Sequence, residues 1–135
     1  MTFPFFKQVN DTFGHAYGDI VLNCLARRLE VKSSALQKEF GNRIKFACAR
    51  PSGEEFTILA YGTISSELEL DISEGFRVVI SDNPLPNDAE WDGTEIDKPD
   101  NLDLPHASDR HITVSIGVSA YRGGTTSHDV DRIIA

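Results

Sequence analysis

The residues best placed to do chemistry are two adjacent acids, Glu54 and Glu55, at the end of the run Arg50-Pro51-Ser52-Gly53. Pro and Gly this close together mark a tight turn. A carboxylate lifted on such a turn projects beyond its sheet, where it can meet a divalent cation. A second polar group, Asn10-Asp11 with Gly14, His15, Gly18 and Asp19, lies near the start of the chain. Singly, each has a plainer reading. Paired acids at a turn are usually just solvated, Asn-Asp is a common turn pair, and His15 is expected to brace its own loop. His106 and His111 could in principle share a metal, but they fall in a stretch read as a mobile loop. Cys24 and Cys48 are isolated thiols, expected to be buried and reduced in preference to a disulfide or a ligand pair. Only the joint spacing of the acids lifts them above these readings.

The elements that must position them follow from periodicity. Residues 6–19 are polar and turn-rich and lead into Ile20, Val21, Cys24, Leu25 and Leu29, whose steps of one, three and four predict a helix to about Ser33. Arg27, Arg28, Glu30 and Lys32 are expected on its outer face. Ile44, Phe46 and Cys48 alternate with Arg43, Lys45 and Ala47, and Phe56, Ile58 and Ala60 alternate again after the turn, which predicts a β-hairpin. Ser66-Glu67-Leu68-Glu69 has capping-box spacing and opens a second helix with Leu68, Ile72, Phe76 and Val79 inward. The stretch from His111 to Ala120 is rich in β-branched residues and predicts a late strand. Ser127 is expected to cap a further helix. The order helix, strand, strand, helix, strand implies an α+β sheet with helices packed on it.

With 135 residues the chain is one domain in size. Its net charge of −8 is unevenly spread: residues 81–111 hold nine acids against Lys98 and Arg110, which accounts for −7 of it. That acidic, Pro- and Asp-rich insert reads as a solvated loop, and the rest is near neutral. No basic face suits nucleic-acid phosphates, so no nucleic-acid partner is expected. No apolar run approaches the roughly 20 residues of a membrane helix, and the opening residues do not form a signal peptide. A cytoplasmic location is the expectation, with membrane contact only through flanking domains.

Three blocks resemble the GGDEF family, whose members condense GTP into cyclic di-GMP. The run Phe6-Lys7-Gln8-Val9-Asn10-Asp11-Thr12-Phe13-Gly14-His15-Ala16-Tyr17-Gly18-Asp19 is similar to the family's D-x-D-x-F-K-x-x-N-D-x-x-G-H-x-x-G-D. Arg50-Pro51-Ser52-Gly53-Glu54-Glu55-Phe56 resembles its signature R-x-G-G-D/E-E-F. Thr113-Val114-Ser115-Ile116-Gly117-Val118-Ser119 resembles its T-x-S-x-G-x-S/A strand. The resemblance implies a palm-like (ferredoxin-like) α+β fold. It also implies a homodimer that presents one GTP from each subunit, with Mg2+ or Mn2+ as cofactor. By the same resemblance Glu54 binds metal and is catalytic, and Glu55 assists catalysis or supports the metal. Asn10 and Asp19 bond the guanine, the carboxamide donating and accepting and the carboxylate accepting N–H groups. The main-chain amides near Phe5 and Phe6 meet the β- and γ-phosphates with Lys7 close by, and Gly53 lets the backbone pass near phosphate.

The chain also departs from the pattern. Thr2 and Pro4 stand where the family has its first two aspartates, and a threonine hydroxyl is a poor ligand for Mg2+. Ser52 replaces the first signature glycine. The product-inhibition motif R-x-x-D reads Arg43-Ile44-Lys45-Phe46, and Phe46 cannot accept the guanine's hydrogen bonds. The family's first strand would precede Met1, and its last helix, with a lysine and an arginine for the triphosphate, would follow Ala135. Residues 1–135 are therefore read as a single partial GGDEF domain with the insert at about 81–111, either a fragment or a degenerate domain. Diguanylate cyclase function, weak or absent in this chain alone, is the expectation. A non-catalytic GTP-binding regulatory module and a cyclase with another nucleotide product are the alternatives.

Overall fold

Apolar spacing decides where the helices begin. In the computed structural model, which describes residues 6–82, 86, 90 and 114–121, the stretch expected to be turns is already helical. Helix α1 spans Phe6–Phe13. Phe6, Val9 and Phe13 recur at helical spacing and pack against the core, and the Phe13 ring lies 4.7 Å from that of Tyr17. The Asn, Asp and Thr side chains between them suggested a loop because they favour turns, but the buried aromatic stripe prevails. Gly14, at φ 87°, breaks the helix. Its N–H still donates to the Asn10 carbonyl at 2.8 Å, so the corner into helix α2 is tight. His15 is the exposed first residue of α2.

Helix α2 runs His15–Phe40, well past the expected end near Ser33. Buried Leu36 carries the apolar face onward, and Gln37 ties the helix end to the next element. Its Nε2 donates to the carbonyls of Gly41 (2.7 Å) and Ile44 (3.0 Å), while its Oε1 accepts from the Phe46 N–H at 3.1 Å. Gly41, at φ 59°, ends the helix.

The hairpin forms as expected, with β1 at Ile44–Ser52 and β2 at Glu55–Gly62, antiparallel from Ile44↔Gly62 to Ala49↔Thr57. Helix α3 spans Ser66–Ser81. Its cap is Ser65, one residue before the expected box: the Ser65 hydroxyl accepts from the Leu68 N–H at 3.2 Å. Val21, Leu25 and Leu29 of α2 meet Ile72, Phe76 and Ile80 of α3, with Ile44 and Phe56 from the hairpin, in one core. The Phe46 ring packs 6.5 Å from that of Phe76.

These elements make an α+β arrangement whose described sheet has two strands. The expected late strand is not a strand where it can be seen. Over residues 114–121 a single bridge forms at Ser115, though Val114 is buried. β-Branched residues supply propensity, but propensity alone does not set how far a ladder extends. The expected helix after Ser127 lies outside the described residues. Among the described residues no helix is long and apolar enough to cross a membrane.

Two further expectations are corrected. Cys48 is exposed, with Sγ 3.0 Å from the Ser33 hydroxyl, and only Cys24 is buried; both are free thiols. The acidic insert is not wholly a solvated loop. Pro86 is fully buried, and Glu90 accepts two hydrogen bonds from the Arg28 guanidinium, which also reaches the Ile80 carbonyl. Arg28 therefore faces inward, because a bidentate carboxylate partner makes its burial tolerable.

Cys24 sits beside that ion pair. Burial first, then the negative charge of Glu90 and its hydrogen bond, push the thiol from its ordinary 9.0 to about 11, against the pull of Arg28 and Arg27. A thiol whose pKa is raised on folding adds stability that is complete below the unfolded value and is lost as pH rises through the folded one. The stability gap between wild type and Cys24→Ala should therefore narrow between pH 9.0 and about 11 in urea titrations. A gap that stays constant across that window contradicts the assignment.

Candidate functional site

The two groups of residues singled out from sequence belong to two corners of the molecule, and each corner is built around a glycine. At the first, Asn10 on α1 lies against Gly18 on α2. A Cβ at Gly18 would collide with the Asn10 side-chain oxygen and come within 3.2 Å of the Phe6 ring. The glycine thus lets the two helices close on one another. The Asn10 Oδ1 is buried with no hydrogen-bond partner among the described residues, so packing holds this carboxamide where no bond does. Leaving such an acceptor unmet costs about 1–3 kcal/mol. Asp19, one residue beyond Gly18, is exposed. Asn10 thus lies against the residue that immediately precedes Asp19. Phe6 is half-buried and Lys7 exposed on the same short helix. Phe5 lies outside the described residues, as do Thr2, Pro4 and Thr113.

At the second corner, Ser52 pairs with Glu55, while Ala49 pairs with Thr57. One extra residue on β1 at Arg50-Pro51 shifts the register. Proline has no N–H for the ladder, and a bulge accommodates it. Arg50 braces the result. Its Nε donates to the Gly53 carbonyl at 2.7 Å, and its guanidinium lies 5.8 Å from the centre of the buried Phe56 ring. Glu55 accepts from the Ser52 hydroxyl at 2.9 Å. Glu54 is exposed and has no partner among the described residues. Gly53 needs no left-handed backbone here, and a Cβ on it would meet nothing within 4 Å.

Helix α2 relates the corners. Along β1, Phe46 bonds Gln37, Cys48 meets Ser33, and Arg50 lines a small cleft with Ala26 and Glu30. Two strand residues advance about as far as four helix residues, since the rises are about 3.3 and 1.5 Å per residue. The strand therefore runs antiparallel to α2 and carries the turn toward the end of the helix that bears Asp19.

The described residues gather no group of three or more His, Cys, Asp or Glu side chains able to hold a metal on their own. Mg2+, however, is commonly held by one or two carboxylates together with substrate phosphates. An exposed, unengaged Glu54 fits that mode and does not fit a cage made of protein alone. Sequence reasoning gave Arg50 and Gly18 no task. The signal for both was their place inside the recognised blocks, one residue ahead of a proline and of an aspartate respectively.

Residues 1–73 match the family model described as "Diguanylate cyclase, GGDEF domain". The chain is 32% identical over 117 residues to Diguanylate cyclase A of Treponema denticola, an alignment that covers 87% of this chain and 24% of that protein. It is 33% identical over 120 residues to the response regulator PleD of Caulobacter vibrioides, covering 88% of this chain and 20% of PleD. No solved structure matches the chain. The chain belongs to the GGDEF family, and it spans a quarter or less of the length of these curated relatives.

The two glycines differ in what surrounds them. Gly18→Ala should destabilise the protein by about 1–3 kcal/mol by overpacking the helix pair. Gly53→Ala should leave stability unchanged or raise it by up to about 1 kcal/mol, because its backbone already suits alanine. Thermal unfolding of both variants checks this, and a destabilised Gly53→Ala would show that the turn itself requires glycine.

Proposed function

We propose that this chain is the GGDEF domain of a diguanylate cyclase, which joins two GTP molecules into cyclic di-GMP where two copies of the domain meet. The observation that carries the reading is the hairpin turn. It presents a carboxylate with no partner among the described residues, beside a glycine that neither backbone strain nor packing requires. Space and negative charge left open together are what a cation–triphosphate needs. Family membership and the identities of the relatives support the same direction.

In this reading Asn10 and Asp19 select guanine. The carboxamide can donate and accept, and the Asp19 carboxylate accepts from the base's N1–H and amino group. The main-chain amides at Phe5 and Phe6, with Lys7 nearby, meet the phosphate tail, and Gly53 keeps the turn clear of it. Glu54 holds Mg2+ or Mn2+ jointly with the nucleotide. The bound cation would neutralise phosphate charge and favour ionisation of the attacking 3′-hydroxyl. Glu55 stands beside it as a second carboxylate able to accept a proton. The partners of the reading are GTP and a second copy of the chain, its setting is the cytoplasm, and residues 81–111 are an insert within the one domain.

Calorimetric titration with GTP and with ATP, each with Mg2+ or Mn2+, tests the proposal. GTP should bind in preference to ATP. Asn10→Ala and Asp19→Asn should each weaken it about tenfold or more, the loss of a hydrogen bond to a charged or base-edge group. Glu54→Gln should abolish the cation's contribution. Incubation of the chain with GTP should give little or no cyclic di-GMP, since the sequence offers Thr2 and Pro4 at the family's first two aspartate positions. GTP binding without turnover, persisting in a longer chain, would make this a regulatory module. Equal affinity for ATP would point to another nucleotide product. No nucleotide binding at all would refute the reading.

A further inference from the structure

Ser52 stands where the family pattern carries its first signature glycine, and the substitution is not passive. Ser52 and Glu55 are direct partners across the ladder, and side chains so paired lie on one face within reach of each other. The Ser52 hydroxyl donates to Glu55 Oε2 at 2.9 Å, a bond glycine could not make. The backbone beneath is already held by Arg50, through the Gly53 carbonyl and the Phe56 ring. The adjacent acid, Glu54, has no partner among the described residues. The two neighbouring carboxylates, alike in sequence, are thus unlike in structure: one is engaged and the other is open.

We infer that Ser52 is a positioning residue of the nucleotide site: by engaging one oxygen of Glu55 it fixes that side chain's rotamer and leaves Glu54 as the carboxylate presented to a nucleotide-bound cation. The inference rests on the reading of the hairpin as that site. An exposed glutamate has many rotamers, and holding it in one beforehand lowers the entropy lost when the ligand arrives. The serine would thereby compensate, within the turn, for the departure it makes from the family pattern.

The test uses Ser52→Ala, Ser52→Gly and Ser52→Thr in the whole chain, with folding checked by circular dichroism. In the ligand-free proteins, three-bond couplings should report a single χ1 for Glu55 in wild type and Ser52→Thr, and averaged values in the Ala and Gly variants. In titrations with GTP and Mn2+, the Ala and Gly variants should bind about threefold to tenfold more weakly, the worth of one exposed hydrogen bond, with Thr restoring affinity. Unchanged couplings in Ser52→Ala would overturn the inference, and so would ordered couplings lost without any change in affinity. If the wild type fails to bind GTP, the nucleotide reading falls, and the coupling arm still decides whether Ser52 orders Glu55.

Discussion

Everything in this domain hangs on the buried face of α2. Val21, Leu25 and Leu29 are almost fully shielded from solvent, and they form the surface on which the hairpin and α3 assemble. Burial of a side chain of this size is worth about 1.5–3 kcal/mol, so a few consecutive turns fix the orientation of every other described element. One end of the helix meets α1 through Gly18, against which the Asn10 carboxamide is packed. The other end is stitched to β1 by Gln37. Because the strand then runs back along the helix, the acidic turn is carried toward the first corner. A single amphipathic helix thus acts as the ruler between the Asn10–Asp19 corner and a pair of acids.

Much of this was legible in the residues. The hairpin announced itself by alternation on both sides of Pro51-Ser52-Gly53, and α3 by Ile72 and Phe76 at helical spacing. The site acids were recognisable because three blocks kept their order and separation. What escaped were features that depend on partners distant in sequence. Residues 6–13 carry turn-forming side chains, and only burial of Phe6, Val9 and Phe13 against elements still to come makes them a helix. Leu36 is one apolar residue among polar ones, and the task of Gln37 exists only once β1 is in place. The stretch 114–121 shows the converse, since its strand propensity yields one bridge and not a ladder.

The insert teaches a similar lesson about charge. Its composition describes a solvated loop, and most of its acids carry no signal of anything else. Glu90 nevertheless meets Arg28 of α2, beside Cys24 and the Ile80 carbonyl. A guanidinium that would otherwise be stranded near the core is satisfied by a carboxylate distant in sequence. Glu90 is thereby tied to the helix on which the other described elements assemble, and the pairing explains why Arg28 turns inward while Arg27 stays exposed.

The central claim is that the Gly53–Glu55 turn and the Asn10–Asp19 corner serve one guanine nucleotide. Backbone amide shifts followed by NMR during titration with GTP and Mg2+ test it most directly. The account predicts that both segments respond together, along a single binding curve. Shifts confined to one corner, or two curves with different midpoints, would mean that no nucleotide spans them and would contradict it.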